Sequence, residues 1–175
     1  MVDIRGPRWG VVVAMTTATL AFSAACGAAG DRAPSVSEQS GSDVAHEVTD
    51  AFENYWSVYV QIANSGDVNV RAFDGIADGP FLETVFKALS MQADSEVVRV
   101  GEPVFGEFTT TVEGDTASSV VCRDDSQWGA ERQGELIEGS VSDTPEPRPY
   151  VGTLELRDGH WVVTNVEMAE DRVCP

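Results

Sequence analysis

Basic residues are scarce in this chain, and their scarcity limits its partners. Eleven lysine and arginine residues stand against 29 aspartate and glutamate residues among 175, a formal net charge of −18. The basic residues occur singly along the chain rather than in runs. Because a polyanion binds through clustered positive charge, we expect no nucleic-acid partner. The same charge disfavours docking of the folded part on an anionic lipid surface.

Histidine and cysteine are also rare, with two and three residues respectively. The absence of a Cys-x-x-Cys pair argues against a thiol–disulfide oxidoreductase. No cluster of histidine, cysteine and glutamate has zinc spacing, and no glycine-rich phosphate loop follows a predicted strand. The sequence therefore predicts neither a metal site nor a cofactor.

Residues 1–25 have the layout of a signal peptide. Arg5 and Arg8 precede a stretch from Trp9 to Ala25 that contains no charged residue. A basic start followed by an apolar run and small residues is typical of exported proteins. The fold is therefore expected to come from the residues that follow.

The apolar run ends in Ser23-Ala24-Ala25-Cys26, which resembles a lipobox. In a lipobox the peptidase cuts before the cysteine, whose thiol carries a diacylglycerol. We therefore predict that lipid on Cys26 holds the chain at the outer face of the cytoplasmic membrane. Ser23 stands where leucine is usual, which leaves two alternatives: ordinary cleavage to a secreted protein, or an uncleaved anchor, since the run is close to the ~17-residue lower limit for a spanning helix.

The cysteine count agrees with lipidation. Three cysteines in an exported protein leave one thiol unpaired unless it is otherwise used, and lipid would account for Cys26. An oxidising exterior then favours a disulfide between Cys122 and Cys174. Two separate buried thiols are the alternative.

After Cys26 the sequence divides into a tether and one domain. Residues 26–42 are rich in glycine, alanine and serine without an apolar period, which predicts a flexible tether. Apolar residues then recur at spacings of three and four, so a helix is predicted from a cap at Ser42 or Asp43 to a stop at Asn64-Ser65-Gly66. A short helical turn is predicted over 70–77, and Gly79-Pro80 predicts the start of a second helix.

Beyond Asp94 the pattern becomes that of antiparallel strands. Asp158-Gly159 is a strong two-residue hairpin signal, and Glu113-Gly114-Asp115 is a second turn. The interval 126–148 has little periodicity and predicts a mobile loop or a short extra hairpin around Leu136-Ile137. Four strands are predicted, at 97–112 with a bend at Gly101-Glu102-Pro103, at 117–124, at 150–157 and at 160–168. We therefore predict one α+β domain over 43–175, with N-terminal helices packed on a curved antiparallel sheet of four to six strands.

The order of elements and five short segments resemble envelope lipoproteins of actinobacteria. The resemblance covers residues 43–175, and its segments are Tyr55-Trp56, Gly114-Asp115-Thr116-Ala117, Cys122-Arg123-Asp124-Asp125-Ser126, Asp158-Gly159-His160-Trp161 and the closing Cys174. Those proteins are similar in shape to the nuclear transport factor two-like superfamily, whose cone of strands is covered by helices and often encloses a pocket. Enzymes of that superfamily, which include isomerases and dehydratases, place an Asp or His inside the cone as a general base.

Candidate pocket residues are few. Tyr55 and Tyr59 are candidates to line a cavity, although aromatic side chains at helical spacing more often form core. Asp124 follows Val120 and Cys122 on one face of its strand and would point into the pocket if that face were concave; a solvated strand end is the alternative.

Neither histidine is predicted to be catalytic. His46 faces solvent by helical spacing, and His160 directly follows a turn, at the end of a strand. An Asp–His dyad inside the cone is therefore not expected.

We accordingly predict a non-catalytic module that binds a small apolar ligand or another envelope protein. The alternative is an extracytoplasmic enzyme of the isomerase or dehydratase type that uses a pocket carboxylate such as Asp124.

Overall fold

The computed structural model describes residues 41–141 and 146–174. The predicted signal peptide, Cys26 and residues 26–40 of the predicted tether lie outside the described residues. No helix in the described ranges is both long and apolar enough to cross a membrane.

Two helices cover the sheet, as the sequence predicts. Helix α1 spans Gly41–Ser65, and helix α2 spans Pro80–Asp94. Because α1 extends at least to Gly41, Ser42 and Asp43 lie within the helix rather than at its cap, so that detail of the prediction is wrong. The predicted stop is confirmed, since Gly66 has a φ of 69° and its amide donates to the Ile62 carbonyl at 2.9 Å.

Strands fill the second half of the chain, after a 3₁₀ turn at Val70–Phe73 that matches the predicted short turn. The eight strands are β1 (Val97–Gly101), β2 (Val104–Phe105), β3 (Thr109–Glu113), β4 (Thr116–Asp124), β5 (Trp128–Arg132), β6 (Glu135–Leu136), β7 (Arg148–Arg157) and β8 (His160–Met168).

These strands form two antiparallel sheets. In the main sheet β2 and β3 both pair with one edge of β4, which is followed by β7 and β8. The five strands of this sheet lie within the predicted range of four to six. A second sheet of three strands, in the order β1-β5-β6, is not predicted from the sequence.

The predicted single strand at 97–112 is wrong, because the chain divides there into β1, β2 and β3. Gly101 ends β1 with a φ of 81°, and Glu102-Pro103 then lead the chain from the second sheet to the main sheet. A Cβ atom on Gly101 would collide with the carbonyl oxygen of Gln127. The predicted bend is therefore a change of sheet that requires glycine.

The interval predicted as a loop or a short hairpin contains a hairpin. Strands β5 and β6 pair through a turn at Gln133-Gly134, whose φ angles of 54° and 81° are those of a two-residue hairpin turn. Strand β5 also pairs along its whole length with β1. The hairpin alternative is thus confirmed, although β5 itself gave no periodic signal.

Local turn signals are confirmed elsewhere. Asp158 and Gly159 have φ angles of 51° and 82° and join β7 to β8. Gly114 has a φ of 63° in the turn between β3 and β4. Both turns occur where the sequence places them, since their chemistry is local.

The hydrophobic core lies between α1 and the inner face of the main sheet. Phe52 is fully buried, and its ring occupies the space that a side chain on Gly152 of β7 would fill. The largest buried apolar side chains are Trp128, Trp56, Trp161, Tyr55, Phe52, Phe73, Ile62, Leu89 and Leu154, with Val48, Val121, Val162 and Val163 beside them. Helices covering one face of a curved antiparallel sheet confirm the predicted α+β fold class.

Candidate functional site

The inner face of β4 carries the odd-numbered residues. Burial alternates along the strand, and Ala117, Ser119, Val121 and Arg123 are the buried positions. Successive side chains of a strand point to opposite faces, so Asp124 lies on the outer face. Asp124 therefore points away from the cone interior, and it lines two depressions on the surface of the domain instead.

Arg123 is the unexpected residue of the interior, because it is 8% exposed among aromatic rings. Its Nη2 donates to Asp125 Oδ2 at 2.8 Å and to Tyr150 Oη at 2.9 Å. Its Cζ lies 4.3 Å from the ring centroid of Tyr150, 4.9 Å from that of Trp56 and 5.4 Å from that of Trp128. We call these five residues the arginine cluster. One carboxylate and three ring faces offset the burial of the charge.

The arginine cluster is not fully paired. Arg123 Nε, Asp125 Oδ1 and Trp56 Nε1 are buried and have no hydrogen-bond partner among the described residues. A buried polar group without a hydrogen-bond partner lowers the free energy of unfolding by about 1–3 kcal/mol. The unpartnered atoms of the cluster therefore reduce the stability of the fold, and the packing of the rings offsets this loss.

Tyr55 and Tyr59 lie next to each other in this packing. Their ring centroids are 6.4 Å apart, and Tyr55 is 2% exposed. Burial raises the pKa of both hydroxyls above the ordinary value, and the neighbouring Arg123 only partly offsets this effect. Both tyrosines are therefore neutral at physiological pH and contribute rings to the core.

Asp124 is separated from the two tyrosines by the sheet. Its Oδ1 accepts a hydrogen bond from the Ser126 amide at 2.8 Å, which is a local turn contact. On the same outer face Cys122 forms a disulfide with Cys174, and their Cα atoms are 5.8 Å apart. The structure therefore does not bring the three predicted pocket residues together.

Neither histidine lies in the interior. The His46 side chain is 77% exposed, and its Nδ1 lies 3.2 Å from Asp50 on the next turn of α1. His160 is exposed at the start of β8. Among the described residues no group of three or more histidine, cysteine, aspartate or glutamate side chains is arranged to hold a metal ion.

A groove of about 920 Å³ opens instead between the C-terminal half of α1 and the segment 102–108. We call it the α1 groove. Trp56 links it to the arginine cluster, since the same indole contributes to both. The residues that line the groove are Glu53, Trp56, Ser57, Val60, Gln61, Asn64, Ser65, Glu102, Pro103, Phe105, Gly106 and Phe108.

The α1 groove exists because the chain bends between β2 and β3. Gly106 donates its amide to the Cys122 carbonyl at 2.8 Å, and Phe105 and Phe108 pack with ring centroids 6.3 Å apart. Phe105 also packs against Trp56 at 5.5 Å. An apolar floor with a few polar groups is what small-molecule sites share.

Comparisons with known proteins bear on the fold alone. No protein-family model matches the sequence, and no curated protein matches it. The intermembrane space region of the chloroplast protein ARC6 is similar in structure, with a TM-score of 0.54 and 11% identity over 71% of this chain and 95% of that one. The Kfla4162 protein from Kribbella flavida has a TM-score of 0.50 and 13% identity over 73% of this chain and 91% of that one.

A nuclear transport factor two-like protein from Cytophaga hutchinsonii also aligns, with a TM-score of 0.47 and 15% identity over 75% of this chain and 98% of that one. The described chain is an α+β cone, the architecture that the sequence resemblance to this superfamily implies. Identities this low concern the fold, since one fold serves many functions.

Proposed function

We propose that this chain is a lipid-anchored, extracytoplasmic module that binds a ligand through the α1 groove without chemical conversion. Lipid on Cys26 would hold it at the outer face of the cytoplasmic membrane. The groove, rather than the interior of the cone, would be the binding surface.

The observation that carries this proposal is the packing of the cone interior. Trp128 is 1% exposed, Tyr55 2% and Trp56 3%, and Arg123 lies between the rings. Rings and the guanidinium occupy the space that a ligand would need. The α1 groove lies beside these rings and is open to solvent, with Val60, Phe105 and Phe108 in its lining.

The disulfide supports a location outside the cytoplasm. Cys122 and Cys174 are joined, and disulfides persist in oxidising compartments. The lipid on Cys26 remains a proposal from the sequence, because residues 1–40 lie outside the described ranges.

No observation in the described ranges favours the enzyme alternative. A general base of the expected kind is an interior carboxylate or histidine. Both histidines are exposed, and the Asp125 carboxylate, which reaches the interior, is held in an ion pair with Arg123 at 2.8 Å. Asp124, the candidate carboxylate, lies on the outer face of β4.

Binding of a neutral apolar dye tests the proposal. N-phenyl-1-naphthylamine gains fluorescence in apolar surroundings, and we expect it to bind the α1 groove. Val60→Gln replaces an apolar groove residue with a polar one. We expect the dissociation constant of the dye to be about tenfold higher for this variant, which corresponds to about 1.4 kcal/mol of lost apolar contact.

Val70→Gln is the matched control, since Val70 is 58% exposed and lies outside the groove lining. Circular dichroism of both variants verifies that they fold. Equal affinity of Val60→Gln and Val70→Gln for the dye would place the binding elsewhere and refute the proposed function.

A further inference from the structure

The charged residues that line the α1 groove are all acidic. Glu53 lies on α1 and Glu102 lies in the bend that follows β1, and both are exposed. No lysine or arginine is among the residues that line the groove. The lining therefore combines an apolar floor with two carboxylates and contains no cationic side chain.

We propose that the groove binds a small amphipathic cation, with an apolar body and an ammonium head. This inference rests on the proposed function, in which the groove is the binding surface. The apolar body would contact Val60, Phe105 and Phe108, and the head would lie next to Glu53 or Glu102.

The volume of the groove and the charge of its lining both favour a small amphipathic cation. A volume of about 920 Å³ lies within the range of about 300–1,000 Å³ that is common for small-molecule sites. An anion would lie against two carboxylates in a chain of net charge −18, whereas a cation is attracted by both.

Three surfactants with the same ten-carbon tail test the head group: decyltrimethylammonium, decyl maltoside and decyl sulfate. Titration calorimetry is performed on the folded protein below the concentration at which each forms micelles. We expect decyltrimethylammonium to bind at least tenfold more tightly than decyl maltoside, and decyl sulfate more weakly than either. Added salt should reduce the preference, because exposed charges are screened.

Two double variants separate the groove from the net charge. Glu53→Gln with Glu102→Gln removes the groove carboxylates, and Glu113→Gln with Glu135→Gln removes two exposed carboxylates outside its lining. Both pairs change the net charge equally. We expect the groove pair to lower the preference for the cation to within about threefold of the neutral surfactant, and the control pair to leave it unchanged.

Failure of this inference is distinct from failure of the proposed function. If decyl maltoside binds as tightly as decyltrimethylammonium and Val60→Gln weakens both, the groove binds ligands but does not select cations. If both double variants reduce the preference equally, the cation responds to the net charge and the inference is wrong. If no surfactant depends on Val60, both proposals fail.

Discussion

Arg123 follows Val121 on the inner face of β4, and Asp124 follows Cys122 on the outer face. Both faces carry short apolar side chains, so alternation predicts the strand but does not decide which face is inside. The choice depends on the packing of Trp56 and Trp128, which are distant in sequence. For this reason sequence reasoning weighed Asp124 as the pocket residue and missed Arg123.

The pairing of Arg123 with Asp125 is the residue-scale contact with the clearest expected effect. The Arg123 side chain is 9% exposed and that of Asp125 is 30% exposed. Asp125→Ala leaves a buried guanidinium with Tyr150 as its remaining hydrogen-bond acceptor. We expect the free energy of unfolding in urea to fall by about 2–3 kcal/mol, the loss that follows removal of a partner from a largely buried charge.

Asp124→Ala is the neighbouring control. It removes the same carboxylate from the outer face together with one bond to the Ser126 amide, so we expect a loss of about 0.5–1 kcal/mol. Equal losses for Asp124→Ala and Asp125→Ala would show that the ion pair with Arg123 does not stabilise the interior.

Among the elements, those specified by local signals were predicted and those specified by distant pairing were not. Gly66 stops α1, Gly79-Pro80 start α2 and Asp158-Gly159 join β7 to β8, each through backbone chemistry within a few residues. Strand β5 is short, lacks alternation and is stabilised by β1, about thirty residues earlier. The second sheet therefore could not be predicted from a local pattern.

The bend that separates the two sheets depends on Gly101. A side chain there meets the Gln127 carbonyl and also requires a positive φ. The backbone conformation costs about 1–2 kcal/mol and the steric conflict a further ~1–3 kcal/mol. We therefore expect Gly101→Ala to lower the midpoint of thermal unfolding strongly, as measured by circular dichroism.

Gly114→Ala isolates the conformational part of this cost. Gly114 also has a positive φ, of 63°, but open space surrounds its missing Cβ. We expect a loss of about 1–2 kcal/mol from conformation alone. A Gly101→Ala variant no less stable than Gly114→Ala would contradict the close approach of β1 to the chain before β5.

At the scale of the whole molecule, the fold class followed from the order of helices and strands, whereas the binding surface did not. The α1 groove is formed by one face of α1 and by the segment 102–108, so no single segment of the sequence predicts it. The predicted cellular location depends on local sequence instead, because export and lipidation signals are recognised in the chain before it folds.

The predicted cellular location is tested by intact mass of the protein taken from its native membrane fraction. We expect a chain that starts at Cys26, carries added acyl mass and gains two hydrogens on reduction, since Cys122 and Cys174 form the disulfide. An unmodified chain with a different start would instead indicate a secreted or helix-anchored protein, and would make Cys26 a free thiol.

The central claim is that ligands bind in the α1 groove while the cone interior stays filled, and the indole N–H signals of the tryptophans test it most directly. Trp56 lines the groove, whereas Trp161 lies in the hydrophobic core at 7% exposure and outside the groove lining. Tryptophan-to-phenylalanine variants assign the signals in a ¹H–¹⁵N spectrum. With N-phenyl-1-naphthylamine added, we predict a shift of the Trp56 signal that is reduced in Val60→Gln, and a smaller shift of the Trp161 signal. A Trp161 shift larger than that of Trp56 would mean that the ligand enters the cone, and would contradict the account.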